Sequence, residues 1–272
     1  MLQTRVLTAL VIFPVTLAVV FLSPPPVFKV LVAILLLIGC RDFARISDLP
    51  ARGATALLAI QSALFIGLFA AWDALGEMAL PMLAAGCAAW LLLFLRLGAF
   101  RSDAAPDARF RRMGFVSALI SLTFGWFALG WLQEQDRGAV IVFMLLLIIW
   151  ASDTGAYFAG KQFGRHKLAP VISPNKTWEG VYGGVALALL AAWLWSGPAM
   201  QMGLTLPSVA VITIVTAATS IGGDLFISLH KRTVKLADAG RLFPGHGGVL
   251  DRYDSLLAGA PFFALAYGLL SG

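Results

Sequence analysis

Charge is what this chain has least of. Only 12% of its 272 residues are Asp, Glu, Lys or Arg, against 60% hydrophobic. A soluble domain carries roughly twice that charged fraction, so a water-soluble fold would lack the polar surface to cover itself. Cysteine is equally scarce. Cys40 and Cys87 both lie in apolar segments and form no CxxC pair, which excludes a disulfide framework and a cysteine zinc site. No GxxxxGK[ST], GxGxxG, HExxH or GxSxG occurs, so the common phosphate-loop, dinucleotide, metalloprotease and serine-hydrolase motifs are missing. There is no internal repeat and no low-complexity linker. No small-residue cleavage pattern separates the first apolar stretch from Pro24-Pro25-Pro26; it reads as a retained helix rather than a signal peptide.

What the chain does have is a succession of apolar stretches near the length of about 20 residues that a bilayer-crossing helix needs. Nine are predicted, at about 6–22, 27–40, 54–75, 78–99, 114–133, 139–160, 180–197, 206–229 and 256–271. The expected fold class is all-α, a polytopic transmembrane bundle. Five spans (1–135) would form a supporting half that faces lipid or a dimer partner, and 136–272 a catalytic half with polar loops at 161–179 and 230–255. The net charge of +6 then sets orientation in the membrane rather than attracting nucleic acid. Of 20 Lys and Arg side chains, all but Lys29 and Arg137 fall on one side of the nine spans. By the positive-inside rule that side is cytoplasmic, with the N-terminus in and the C-terminus out. Both polar loops share the cytoplasmic face.

Chemistry concentrates in those loops and the span ends beside them. Asp224 interrupts the apolar run Ile221-Gly-Gly-Asp-Leu-Phe-Ile-Ser228. A carboxylate there costs about 3 kcal/mol on translocon scales and by default marks a functional site. Asp224, Ser228, Lys231 and Arg232 fall at i, i+4, i+7 and i+8 on one helical face. A carboxylate, a hydroxyl and two cations in a stripe suit a metal ion next to phosphate groups. Pro244-Gly-His-Gly-Gly248 forbids regular helix and allows backbone N–H groups to converge on an anion. His246 reads equally as a phosphate donor or a turn residue. Asp251, Arg252 and Asp254 follow at once, and Asp251 pairs with Asp224 as oxygen ligands for a divalent cation such as magnesium. In the third segment Asp153, Tyr157 and Lys161 share a face. Ser173-Pro174 reads as an N-cap and first helical residue, which puts Lys176 and Thr177 in a first turn able to cradle phosphate.

Taken together, Asp153-Thr-Gly-Ala-Tyr-Phe, Ser173-Pro-Asn-Lys-Thr-Trp-Glu-Gly, Ser228-x-x-Lys231-Arg232, Asp238 and Pro244-Gly-His-Gly-Gly-x-x-Asp251-Arg252-x-Asp254 resemble the signature of phosphatidate cytidylyltransferases. The resemblance covers roughly residues 147–256. It implies a multi-pass enzyme of the cell inner membrane that joins CTP to phosphatidate, giving CDP-diacylglycerol and pyrophosphate. It further implies magnesium, a second cation such as potassium, and a homodimer. Carried onto this chain, the catalytic residues are Asp224, Asp251, Lys231, Arg232 and Asp238, with Asp224 and Asp251 the metal ligands. Asp153, Ser173, Lys176, Thr177, Glu179, Ser228, His246, Gly247, Gly248 and Arg252 would bind substrate. One departure stands out: the family has lysine directly before the aspartate matching Asp238, where this chain has Ala237, and the nearest lysine is Lys235.

Two rivals share parts of this pattern. A CTP-dependent lipid kinase of the dolichol- or phytol-kinase type would transfer the γ-phosphate to an alcohol. A cation-coupled transporter would use Asp153 and Asp224 but has no reason for the glycine turn and five basic residues in one loop. The charge asymmetry makes its own prediction. A C-terminal reporter active only outside the cytoplasm gives signal; cytoplasmic-only signal would mean that a span is miscounted.

Overall fold

The computed structural model describes residues 2–98, 105–245 and 247–271, with the side chains of all but 2–7 and 9. Helices dominate. In chain order they are α1 (Leu2–Leu22), α2 (Pro25–Ile46), α3 (Ala51–Ala70), the single turn α4 (Trp72–Leu75), α5 (Ala79–Gly98), α6 (Ala108–Glu134), α7 (Gly138–Phe163), α8 (Trp178–Leu194), the short α9 (Ser196–Met200), α10 (Leu206–Thr233) and α11 (Leu250–Leu270). Two short strands, β1 (Lys167–Ala169) and β2 (Ser173–Thr177), pair antiparallel between α7 and α8. Local chemistry sets the boundaries. Pro25 opens α2, Asp107 caps α6 through the Phe110 amide at 2.6 Å, and Thr205 caps α10 ahead of Pro207.

A helix lies at each of the nine predicted spans. Among the described residues six are long and apolar enough to cross a membrane: α3, α4–α5, α6, α7, α10 and α11. With several such helices, the chain is built as a multi-pass membrane protein. The hairpin departs from the all-α expectation, and it also overturns the expected cap. Ser173 is not an N-cap and Pro174 does not open a helix; both lie in β2, and the Thr177 hydroxyl caps α8 by accepting the Gly180 amide at 3.1 Å. The residue before a proline is pushed towards extended backbone, which suits a strand as readily as a cap.

One apolar core joins both halves of the sequence. Trp90, Trp126, Phe226 and Phe263 are each at most 1% exposed and come from α5, α6, α10 and α11. Large side chains on the outer helices, such as Ile66 and Leu95 at 70% and 72%, face outward, as lipid-facing residues do. Lipid tails are as apolar as leucine, so helix association here rests on close packing, and small residues supply it. Gly155, Ala156, Ala159 and Gly160 of α7 meet Gly180, Gly183 and Gly184 of α8 so tightly that a methyl at Gly155 would come within 2.8 Å of Leu187 Cβ. A methyl at Gly223 of α10 would lie 2.6 Å from both the Asp254 carbonyl and Ala258 of α11. These two contacts bring Asp153, Asp224 and Asp254 to one end of the bundle. At the opposite end Lys29, 3% exposed, pairs with Glu134 at 2.5 Å and lies over the Trp72 ring at 3.9 Å.

Candidate active site

A polar pocket of about 430 Å³ is enclosed by the C-terminal ends of α7 and α10, the hairpin, and the starts of α8 and α11. Asp153, Asp224, Asp238, Asp251 and Asp254 line it, together with Lys176, Lys231 and Arg252. Sequence positions about a hundred residues apart thus line one wall. The helical stripe does what its spacing implies. Ser228 Oγ donates to Asp224 Oδ1 at 3.2 Å, and Lys231, one turn on, reaches Asp251 Oδ1 at 2.8 Å. Lys176 arrives from β2 and pairs with Asp224 Oδ2 at 2.6 Å.

Asp251 is the most heavily held group. One oxygen takes Lys231. The other accepts the amides of Ala239 and Gly248, both at 2.8 Å, and that of Gly240 at 3.4 Å. Of these amides only that of Gly248 belongs to the Pro-Gly-x-Gly-Gly turn; Ala239 and Gly240 precede it, so the loop as a whole wraps Asp251. Gly247 adopts φ +82, and a methyl there would lie 2.9 Å from Asp251 Cγ, so glycine is required on both conformational and steric grounds.

Other predicted residues are placed away from the pocket wall. Arg232 Nε donates to the Ile172 carbonyl at 3.2 Å, so it ties α10 to the hairpin that presents Lys176. Glu179 accepts the amides of Arg165 and His166 and meets His166 Nδ1 at 2.6 Å, which closes the base of the hairpin. Ser173 stands opposite Ala169 in the hairpin, while Thr177 both caps α8 and lines the pocket. His246 lies outside the described residues. His230 does not line the pocket. It is fully buried among Phe43, Phe110 and Phe226, with Nδ1 bonded to the Phe226 carbonyl at 3.0 Å.

Among the wall residues given no role from sequence are Asp254 and Asn175. Asp254 belongs to a quoted motif and, three residues after Asp251, shares its helical face, which was the available signal. Asn175 also lies in a quoted motif, between Pro174 and Lys176. The polar pocket also continues. A smaller cavity of about 280 Å³ shares Asp153, Asp251, Arg252 and Asp254 with it and adds Ile12, Thr16 and Tyr253. Those three in turn line an apolar cavity of about 370 Å³ between α1, α2 and α11.

This geometry, with carboxylates and cations at one end and an apolar cavity at the other, agrees with the comparison to known proteins. The model of the Cytidylyltransferase family matches residues 3–270. The chain belongs to the cytidylyltransferase family. Among its relatives, the phosphatidate cytidylyltransferase of Pseudomonas aeruginosa is 35% identical over 97% of this chain and 96% of its own length. That of Haemophilus influenzae is 31% identical over 98% and 99%, and that of Bacillus subtilis 37% over 60% and 61%.

Whether a cytidylyltransferase metal fits here is a matter of charge and donor type. Among the described residues no group of three or more His, Cys, Asp or Glu side chains forms a ready-made metal cage. Magnesium does not need one, since it typically takes one or two carboxylates and fills the rest of its shell with substrate phosphate and water. Five carboxylates against three cationic side chains leave the wall with excess negative charge. Polyphosphate can enter only with added cations, and the hard oxygen donors of Asp224 and Asp251 suit them.

Lys235 does not replace the lysine missing at Ala237. It is exposed at the left-handed end of α10 (φ 56) and does not line the pocket, whereas Asp238 does. Lys235→Ala should leave kcat/KM for CTP within about twofold of the parent, as for surface changes generally. A large loss would show that Lys235 reaches the nucleotide.

Proposed function

We propose that this chain is an integral membrane phosphatidate cytidylyltransferase with Asp224, Asp251, Asp238, Lys231 and Lys176 at its reacting centre. The observation that carries the reading is that the charged pocket and the apolar cavity beside α1 adjoin one another through a third cavity that shares wall residues with both. This arrangement suits a substrate with an anionic head and acyl tails. The names of the full-length relatives support the same reading. In the reaction a phosphate oxygen of phosphatidate attacks the α-phosphorus of CTP. The bond from that phosphorus to the β-phosphate bridging oxygen breaks, and pyrophosphate leaves. A phosphomonoester has its second pKa near 6 and is largely ionised at pH 7, so no strong general base is required. What the step needs is neutralised charge and a fixed line of attack.

The chain's residues divide that work. Lys231 and Lys176 lie within ion-pair distance of Asp251 and Asp224 and can exchange those partners for phosphate oxygens. Arg232 acts indirectly by holding the hairpin, and Arg252, at the junction of the charged pocket and the third cavity, meets the lipid phosphate. Asp224 and Asp251 would hold magnesium, which neutralises phosphate charge when bound, and the surplus of carboxylates leaves a role for a second cation such as potassium. The loop charges support a cell inner membrane protein with nine spans, N-terminus in, C-terminus out and the site facing the cytoplasm. A homodimer belongs to the same proposal. The full-length relatives, named phosphatidate cytidylyltransferases, favour this reading over a CTP-dependent lipid kinase.

The deciding assay supplies purified protein with magnesium, CTP labelled on the α-phosphate, and phosphatidate in mixed micelles. Label should enter lipid as pyrophosphate is released. Label left entirely in water-soluble CDP, with phosphatidate untouched, would overturn the reading.

A further inference from the structure

The loop that wraps Asp251 has little regular structure of its own. Between α10 and α11 it runs through Gly240, Pro244, Gly245, Gly247 and Gly248, and among the described residues its only ladder contact is the Phe243–Gly247 bridge. A glycine-rich segment has many alternative paths and loses the most freedom on being fixed. Yet its amides meet Asp251 on one path only. Helix α11 likewise begins without a side-chain cap from its own N-cap residue, Val249.

Both gaps are filled from far away in the sequence. Asp42, at the end of α2, is 8% exposed. Its Oδ2 accepts the Leu250 amide at 3.3 Å, and the Val249 amide also bonds to it. The backbone closes around this carboxylate so tightly that a methyl at Gly240 would come 2.5 Å from Asp42 Cγ, and one at Gly248 would come 2.7 Å from the same atom. One turn on, Arg45 donates to the Ala239 carbonyl at 3.4 Å. Asp251 therefore holds the loop through the amides of Ala239, Gly240 and Gly248, and Asp42 through those of Val249 and Leu250 while it packs against Gly240 and Gly248.

We propose that Asp42 is a positioning residue for cytidylyl transfer: its carboxylate caps α11 in trans and holds the loop on the path that directs the amides of Ala239, Gly240 and Gly248 to Asp251. It touches no substrate. The supporting half of the sequence thereby contributes a determinant of the active site. The proposal rests on the role given to Asp251 above.

The test compares purified full-length Asp42→Asn and Asp42→Glu proteins with the parent in the labelled-CTP assay, alongside hydrogen exchange and thermal unfolding. Asn presents an NH2 group to backbone N–H donors, whereas Glu restores a carboxylate. Asp42→Asn should lower kcat by about 10- to 100-fold, as loss of a supporting shell does, with KM for CTP little changed. Asp42→Glu should recover most of that loss. Exchange should quicken at 239–250 and stay unchanged in α7 and α8. Gly240→Ala should reproduce the defect, and in an Asp42→Ala background it should add nothing, because the group its methyl strikes is gone. Unchanged kcat in Asp42→Asn would overturn the proposal. So would a loss of activity that merely tracks loss of folded protein with loop exchange unaltered. If the parent itself moves no label into lipid, the functional reading fails instead, and the exchange data still decide whether Asp42 holds the loop.

Discussion

The site depends on how one buried carboxylate is satisfied. The Asp251 side chain is 3% exposed, a position in which an unpaired charge would be strongly unfavourable. Lys231 answers one oxygen and three backbone amides answer the other. Each partner comes from a different stretch of chain, so satisfying this group fixes α10, the glycine loop and α11 relative to one another. The requirement explains the local sequence. A Cβ at Gly247 would strike the carboxylate, and a Cβ at Gly248 would strike Gly240 and Asp42 behind it.

The second constraint is charge. A pocket lined by five carboxylates and three cationic side chains does not attract a polyanion on its own. On the proposed reading, cations held by the carboxylates would make it attractive and would release Lys176 and Lys231 from their present ion pairs. Substrate and metal binding would then be linked. Burial against the bilayer-facing apolar cavity sharpens the effect, because electrostatic interactions strengthen as water is excluded. The same arrangement places a lipid phosphate beside a water-borne nucleotide without moving either far from its own phase.

The sequence was most informative where periodicity and cost coincide. Asp224 in an apolar run, with Ser228 and Lys231 on its face, told of the α10 wall, and the small residues around Gly183 fit the tight α7–α8 contact. What it concealed has common physical causes. Ser173-Pro174 suits a strand and a cap equally, and only the pairing with Ala169 decides between them. The glycine turn suggests converging amides, but not that Gly248 would turn its own towards Asp251 together with those of Ala239 and Gly240 upstream. His230 precedes Lys231 and Arg232 in the chain, while its own azimuth points it into Phe43 and Phe226. Asp42 sits beside Arg41 at the end of an apolar run and carries no local sign of a partner 208 residues away.

The central claim is that Asp251 organises the reacting centre. Its most direct test is cytidylyl transfer by purified Asp251→Asn protein, with hydrogen exchange at Ala239, Gly240 and Gly248 followed in the same samples. Asparagine turns an NH2 group towards three N–H donors or abandons Lys231. The account predicts transfer reduced by about 100-fold or more and faster exchange at those three amides. Near-parental transfer, with the amides as protected as before, would contradict it.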